Sequence, residues 1–163
     1  MIKQISIDYL KNALDIFNDV KRNMLENNID QWDEIYPDFK IIENDIINHH
    51  GYGYFDNEQL IGYIAFNEIF NEEYNAIDWK FHDDKPLIIH RLAVKSKFQG
   101  IGIAKKLMQF VETKAKNDGY VAIRLDAFSG NPKSLEFYQR LGYSSAGQVY
   151  FRKGMFYCFE KSI

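Results

Sequence analysis

The sequence predicts a mixed α/β fold, a mixed sheet with helices packed on it, on three observations. Apolar residues recur at helical spacing in four separate stretches. Short runs rich in β-branched and aromatic residues, bounded by turn residues, fill the spaces between them. The two kinds follow in the order strand, two helices, three strands, helix, strand, helix, two strands.

Ile2 to Ile5 reads as a short first strand. Ser6 or Asp8 then caps a helix whose apolar face is Leu10, Ala13, Leu14, Phe17, Val20, Met24 and Leu25, and the Asn27-Asn28-Ile29-Asp30 run ends it. A second helix is expected to start near Pro37, a favoured first-turn residue, and to run through Phe39, Ile42, Ile46 and Ile47. Gly51 to Phe55 and Leu60 to Glu68 flank Asp56-Asn57-Glu58-Gln59 as an antiparallel hairpin. The polar stretch from Asn71 to Lys85 has no periodicity, and Pro86 closes it. Leu87 to Val94 is the next strand.

A Gly-containing turn leads from there to a helix over about 102–117, with Ala104, Leu107, Met108, Val111 and Ala115 on one face and Gly119 just past its end. Tyr120 to Ala127 is a strand. Asn131 suits an N-cap and Pro132 a first helical position, so a helix starts there and runs to Leu141-Gly142. Tyr143 to Phe151 and Met155 to Glu160 complete the sheet around the turn Arg152-Lys153-Gly154. No repeat or linker divides the 163 residues, which read as one domain.

Composition narrows the function. A net charge of −3, from 20 basic and 23 acidic residues without a block of either sign, leaves no footprint for nucleic acid. No apolar run approaches the roughly 20 residues that cross a bilayer, and Met1 to Ile5 lacks a signal-peptide core, so a soluble cytoplasmic protein without a membrane role is expected. The single Cys158, in an apolar strand, reads as a structural thiol. His49, His50, His82 and His90 show no metal-ligand spacing, and no metal is expected.

The run from Leu92 to Ala104 carries the chemistry. A strand feeds a loop of small residues that opens a helix, where unpaired backbone N–H groups and the helix dipole favour an anion and Gly100, Gly102 and Ala104 allow it close approach. The Walker ending Gly-Lys-Ser/Thr is absent, and the Rossmann loop lacks its third glycine and comes too late in the chain. Gln99, Gly102 and Ala104 instead match Gln/Arg-x-x-Gly-x-Gly/Ala. Further on stand Asn131, Tyr138 seven residues later, and Leu141-Gly142-Tyr143. These two ordered motifs resemble those of the GNAT superfamily of N-acetyltransferases, and the element order agrees along essentially the whole chain.

The resemblance implies the GNAT fold, with a mostly antiparallel central sheet flanked by helices, and transfer of an acetyl group from acetyl-CoA to a small-molecule or peptide amine by direct attack in a ternary complex. It gives the pantetheine arm to the backbone of Leu92, Ala93 and Val94, and the pyrophosphate to Gln99, Gly100, Ile101, Gly102, Ile103, Ala104 and Lys105. Asn131 and Ser134 would hold the cofactor, and Tyr138 would bind it and protonate the departing thiolate. Helix geometry independently places Asn131 and Tyr138 on one face, about 10 Å apart along the axis.

The acceptor's ammonium must lose a proton before attack. His90, four residues before Val94, is the first candidate base; the alternative is a histidine buried in the sheet. Asp126 is the second. Strand alternation puts it on the face of Arg124, so a structural ion pair is its bland reading. By the resemblance, the acceptor is met by the early helices, the following loops and the last strands, where Trp32, Tyr36 and Tyr74 can pack against it, although such a residue is more often ordinary surface or core. The choice of amine, acyl length and monomer or homodimer stays open. The alternatives in other classes are a non-catalytic acyl-CoA sensor and a protein-interaction domain on the same fold.

Overall fold

In the computed structural model, which describes residues 1–82 and 85–163, the hairpin at Asn57-Glu58 shows how closely local chemistry sets the architecture. Both residues adopt positive φ, 44° and 66°, as a two-residue turn between antiparallel strands demands, and the strands β2 (Gly51–Asp56) and β3 (Gln59–Asn67) pair from Asp56↔Gln59 outward. The other strands are β1 (Ile2–Gln4), β4 (Leu87–Val94), β5 (Ala122–Phe128), β6 (Ser144–Phe151) and β7 (Gly154–Ser162). They form a seven-stranded sheet in the order β1-β2-β3-β4-β5-β7-β6. Described pairings are antiparallel for β1–β2, β2–β3, β5–β7 and β6–β7, and parallel for β4–β5. Four helices accompany the sheet: α1 (Leu10–Glu26), α2 (Phe39–Ile47), α3 (Ile103–Asn117) and α4 (Pro132–Arg140). The mixed, mostly antiparallel sheet flanked by helices is the fold the sequence predicts.

By its contacts the chain divides into two compact units, one made of Met1–Phe66 and Arg91–Phe110, the other of Asn67–His90 and Val111–Ile163. The first has its own core. Ala13, Ile16, Phe17 and Val20 form the buried stripe of α1, Ile42 and Ile46 that of α2, and they close with Leu60, Tyr63 and Ala65 of β3. The stripe spacing is the helical one that the sequence shows. The second unit packs Tyr74, Trp79, Ile88, Val149 and Cys158 together.

Two helix starts differ in detail from expectation. Ser6 caps a 3-10 turn, Ile7–Tyr9, rather than α1, and makes no side-chain cap bond; its Oγ turns 3.4 Å from Asp8 Oδ2 instead. Neither Ser6 nor Asp8 therefore caps α1, whose N-cap position is Tyr9. α2 starts near Pro37 as expected, but the proline lies before the N-cap and not in the first helical turn. Asp38 is the N-cap, its Oδ1 accepting the Ile41 N–H at 2.9 Å, and Pro37, joined to Tyr36 by a cis peptide bond, precedes it. A carboxylate that satisfies an orphan N–H defines a helix start more strongly than proline's preference does. The polar stretch from Asn71 to Lys85 holds a second 3-10 turn, Glu72–Ala76; its residues Asp83 and Asp84 lie outside the described residues.

Candidate active site

In the first unit, the loop from β4 to α3 is held at both ends. Lys95 N–H bonds the Ile61 carbonyl at 2.9 Å, Ser96 N–H bonds Asp19 Oδ2 of α1 at 2.6 Å, and a 3-10 turn, Ser96–Phe98, follows. Gln99 folds back, its Nε2 donating to the Val94 carbonyl at 2.9 Å. Gly100 and Gly102 then take φ of 80° and 89°, a region that L side chains rarely enter. A Cβ at either would meet nothing within 4 Å, so these glycines answer to backbone conformation and border open space. Beyond them, Ile103 and Leu107 are buried close to Gly62 of β3, where a Cβ would come within 3.1 Å of each. This seats the start of α3. Lys106 N–H closes on the Gly102 carbonyl at 3.0 Å, so the N–H groups of Ile103, Ala104 and Lys105 sit where a helix offers no acceptor. The loop is a pinned, open-faced helix N-terminus suited to an anion.

Also in this unit, Ala93 and Val94 are buried while Leu92 is half-buried. Arg91 of β4, 8% exposed, is bonded through Nε to Asp45 Oδ2 of α2 at 2.7 Å, with Nη2 on Oδ1. Its Nη1 donates to the Tyr36 hydroxyl at 2.8 Å, and the Tyr63 hydroxyl donates to Asp45 at 3.0 Å. Burial and the Asp45 charge push the Tyr63 hydroxyl well above its ordinary range.

In the second unit, the parallel ladder joins β4 to β5 through Leu87↔Ile123, Ile88↔Arg124 and Ile89↔Leu125. His90 and Asp126, the two candidate bases, are the residues that follow the last of these pairs. His90 Nε2 lies 2.7 Å from Asn67 Oδ1. The half-buried Asp126 accepts the Tyr74 hydroxyl at 2.6 Å. Arg124, its expected partner, instead donates Nη2 to the Phe81 carbonyl and lies over the Trp79 ring. The expected ion pair thus gives way to a tyrosine bond, because the 3-10 turn supplies Tyr74 to Asp126 and the residues after it supply Trp79 and Phe81 to Arg124. Burial raises the Asp126 carboxyl to about 6 against the lowering effect of the Tyr74 bond.

Asn131 caps α4, 7% exposed, with Ser134 N–H on its carbonyl at 3.1 Å and 3.4 Å from its Oδ1; Pro132 takes the first helical position as expected. On the same helix Tyr138 is half-buried, its ring near those of Tyr143 and Phe159. Burial, and secondly the Asp126 charge, hold its hydroxyl above the usual phenol range. The same two causes, in the same order, push the Cys158 thiol up to about 12.

Residues 14–143 match the Acetyltransferase (GNAT) family. The chain belongs to the GNAT family. An uncharacterized N-acetyltransferase YesJ of Bacillus subtilis is 31% identical to it over 80 residues, 49% of this chain and 43% of that protein. The chain thus spans under half the length of that curated relative. Among solved structures, a GNAT-family acetyltransferase of Streptococcus agalactiae superposes with a TM-score of 0.89 at 22% identity, covering 100% of this chain and 95% of the other. A PaiA N-acetyltransferase of Thermoplasma acidophilum, in complex with coenzyme A, gives 0.75 at 21% identity over 100% and 98%. At these identities the likeness speaks for the fold.

The aromatic residues named for the acceptor each have a place within the GNAT domain's own packing. Trp32 is tilted on Phe17, ring centroids 5.4 Å apart; Tyr36 takes Arg91; and Tyr74, 2% exposed, belongs to the second core. Asn67, Asp45 and Asp19 were missed by sequence reasoning. Each acts through a fold-dependent contact, and no local spacing marks them. Among the described residues, no group of three His, Cys, Asp or Glu is placed to hold a metal, and no helix is long and apolar enough to cross a membrane.

Proposed function

We propose that this chain transfers the acetyl group of acetyl-CoA to a primary amine, by direct attack of the amine in a ternary complex. The observation that carries the reading is the pair Gly100 and Gly102, set at positive φ with open space at both Cβ positions, ahead of the pinned start of α3. Family membership and a relative that binds coenzyme A support it.

In this reading the segment from Gln99 to Lys105 takes the pyrophosphate, through backbone N–H groups rather than the Gln99 amide, which is engaged with Val94. The backbone of Leu92 to Val94 takes the pantetheine, and Asn131 and Ser134 assist at α4. Acetyl-CoA supplies the activated acyl group. The chain's residues manage protons. Asp126, with a carboxyl near 6, is ionised at neutral pH yet basic enough to accept a proton from the acceptor's ammonium. The freed nitrogen forms the C–N bond as the C–S bond breaks, and the Tyr138 hydroxyl gives its proton to the departing sulfur. The second proton that the nitrogen sheds in becoming an amide returns through solvent to the Tyr138 phenolate. A phenol held above its ordinary range keeps that proton until sulfur charge develops. His90, which follows Ile89 as Asp126 follows Leu125 at the end of the β4–β5 ladder, is the competing base.

The test is acetyl-CoA-dependent thiol release with a panel of primary amines, polyamines and peptides. Turnover with at least one amine, at a rate that falls below about pH 6, supports the reading. Coenzyme binding without turnover on any amine would turn it into an acyl-CoA sensor.

A further inference from the structure

We infer that Tyr74 is a positioning residue for the acceptor: its hydroxyl fixes one oxygen of Asp126 and leaves the other to receive the acceptor's ammonium. The inference rests on the proposed transfer to an amine. The hydroxyl donates to Asp126 Oδ2 at 2.6 Å across 52 residues of chain. Asp126 Oδ1 takes no hydrogen bond among the described residues. An ionised carboxylate accepts about four hydrogen bonds, so this one, half-buried and singly bonded, retains capacity for a donor.

Tyr74 is itself immobilised. Its ring lies 5.3 Å from that of Trp79 and is stacked at 6.3 Å with Phe70, and its carbonyl accepts the Trp79 indole N–H at 3.0 Å. A hydroxyl on such a mount sets the carboxylate plane with little freedom. The titratable groups around Asp126 are Tyr74 from the 3-10 turn, Tyr138 from α4, Cys158 opposite it on β7, His90 on β4 and Arg124 on its own strand. Arg124 is turned to Phe81 and Trp79, and His90 to Asn67. None of these supplies the second oxygen with a cation. The acceptor class that fits is a primary ammonium, which brings both charge and donors; a neutral hydroxyl brings neither charge nor a proton of suitable acidity.

The test is Tyr74→Phe, which keeps the ring in its stack. The Asp126 carboxyl is followed by carbon NMR titration in ligand-free protein, beside acceptor kinetics. Loss of a hydrogen bond to the charged form is expected to raise the Asp126 midpoint by about one pH unit. The acid limb of kcat/KM for the amine should move upward by the same amount, with the Kd for acetyl-CoA unchanged. In an Asp126→Asn background, adding Tyr74→Phe should cost nothing further. An unmoved Asp126 midpoint, or an undiminished Tyr74→Phe effect in the Asp126→Asn protein, overturns the inference. The midpoint does not depend on turnover, so failure of the proposed activity is seen separately, as wild-type protein that releases no thiol.

Discussion

His90 Nε2 sits 2.7 Å from Asn67 Oδ1, and that same oxygen accepts the Ile69 backbone N–H at 2.8 Å. A backbone N–H bonds only an acceptor, so the amide orientation of Asn67 is fixed and its oxygen faces the imidazole. His90 Nε2 must then be the donor. The neutral ring carries its proton on Nε2 and its basic lone pair on Nδ1. Nitrogen-15 spectra of histidine-labelled protein should show the Nε2–H form for His90, and Asn67→Leu should return it to a mixture. An Nδ1–H form in the wild type would contradict this arrangement.

His90 and Asp126 compete for the role of base, and their variants separate them. Asp126→Asn should lower kcat/KM by about a hundredfold or more and abolish the acid limb near pH 6. His90→Ala should leave that limb where it is. A pH–rate profile that loses its limb in His90→Ala and keeps it in Asp126→Asn would move the base to His90.

The same carboxylate should cost the fold stability. Its group rises from an ordinary 3.8 to about 6, so the native state holds a proton that the unfolded chain releases. Stability on its account therefore falls as pH rises from about 4 to 6, and the loss is complete above that window. A shift of about two units, discounted for partial exposure, gives about 1–3 kcal/mol. Asp126→Asn, although expected to be slower, should be more stable than wild type by that amount at pH 7 and no more stable at pH 4. Urea melts at the two pH values check it.

How much of this was legible beforehand follows from where the determinants lie. The apolar stripe of α1, the Asn131-Pro132 start of α4 and the two glycines ahead of α3 act within a few residues of themselves, so the sequence displays them. The partner of Asp126 does not. Alternation on β5 points to Arg124, whereas the structure brings Tyr74 from 52 residues away. Asn67 and Asp45 were hidden for the same reason: an asparagine at a strand end and an aspartate in a helix look like surface until the fold supplies His90 and Arg91.

The Arg91–Asp45 pair is buried, with side chains 9% and 4% exposed. Removing one partner leaves an uncompensated charge, at a cost of about 3–5 kcal/mol. Asp45→Ala should lose roughly that much in a urea melt. Asp45→Leu combined with Arg91→Met should lose clearly less than the sum of the single changes, because no orphan charge remains.

Tyr138→Phe tests the proposed transfer of a proton to sulfur. The ring packing beside Tyr143 and Phe159 is kept, so stability should be nearly unchanged, while kcat falls by about a hundredfold. Full activity in this variant would remove Tyr138 from the proton transfer.

The most direct test of the central claim is a calorimetric titration of acetyl-CoA into the wild-type protein and, beside it, into Gly102→Glu. That substitution puts a carboxylate and a Cβ at a φ of 89°, into the open space proposed for the pyrophosphate. The account predicts saturable one-to-one binding by the wild type and its loss in a variant that still folds. A folded wild type that takes up no acetyl-CoA, or a variant that binds it equally well, would contradict the account.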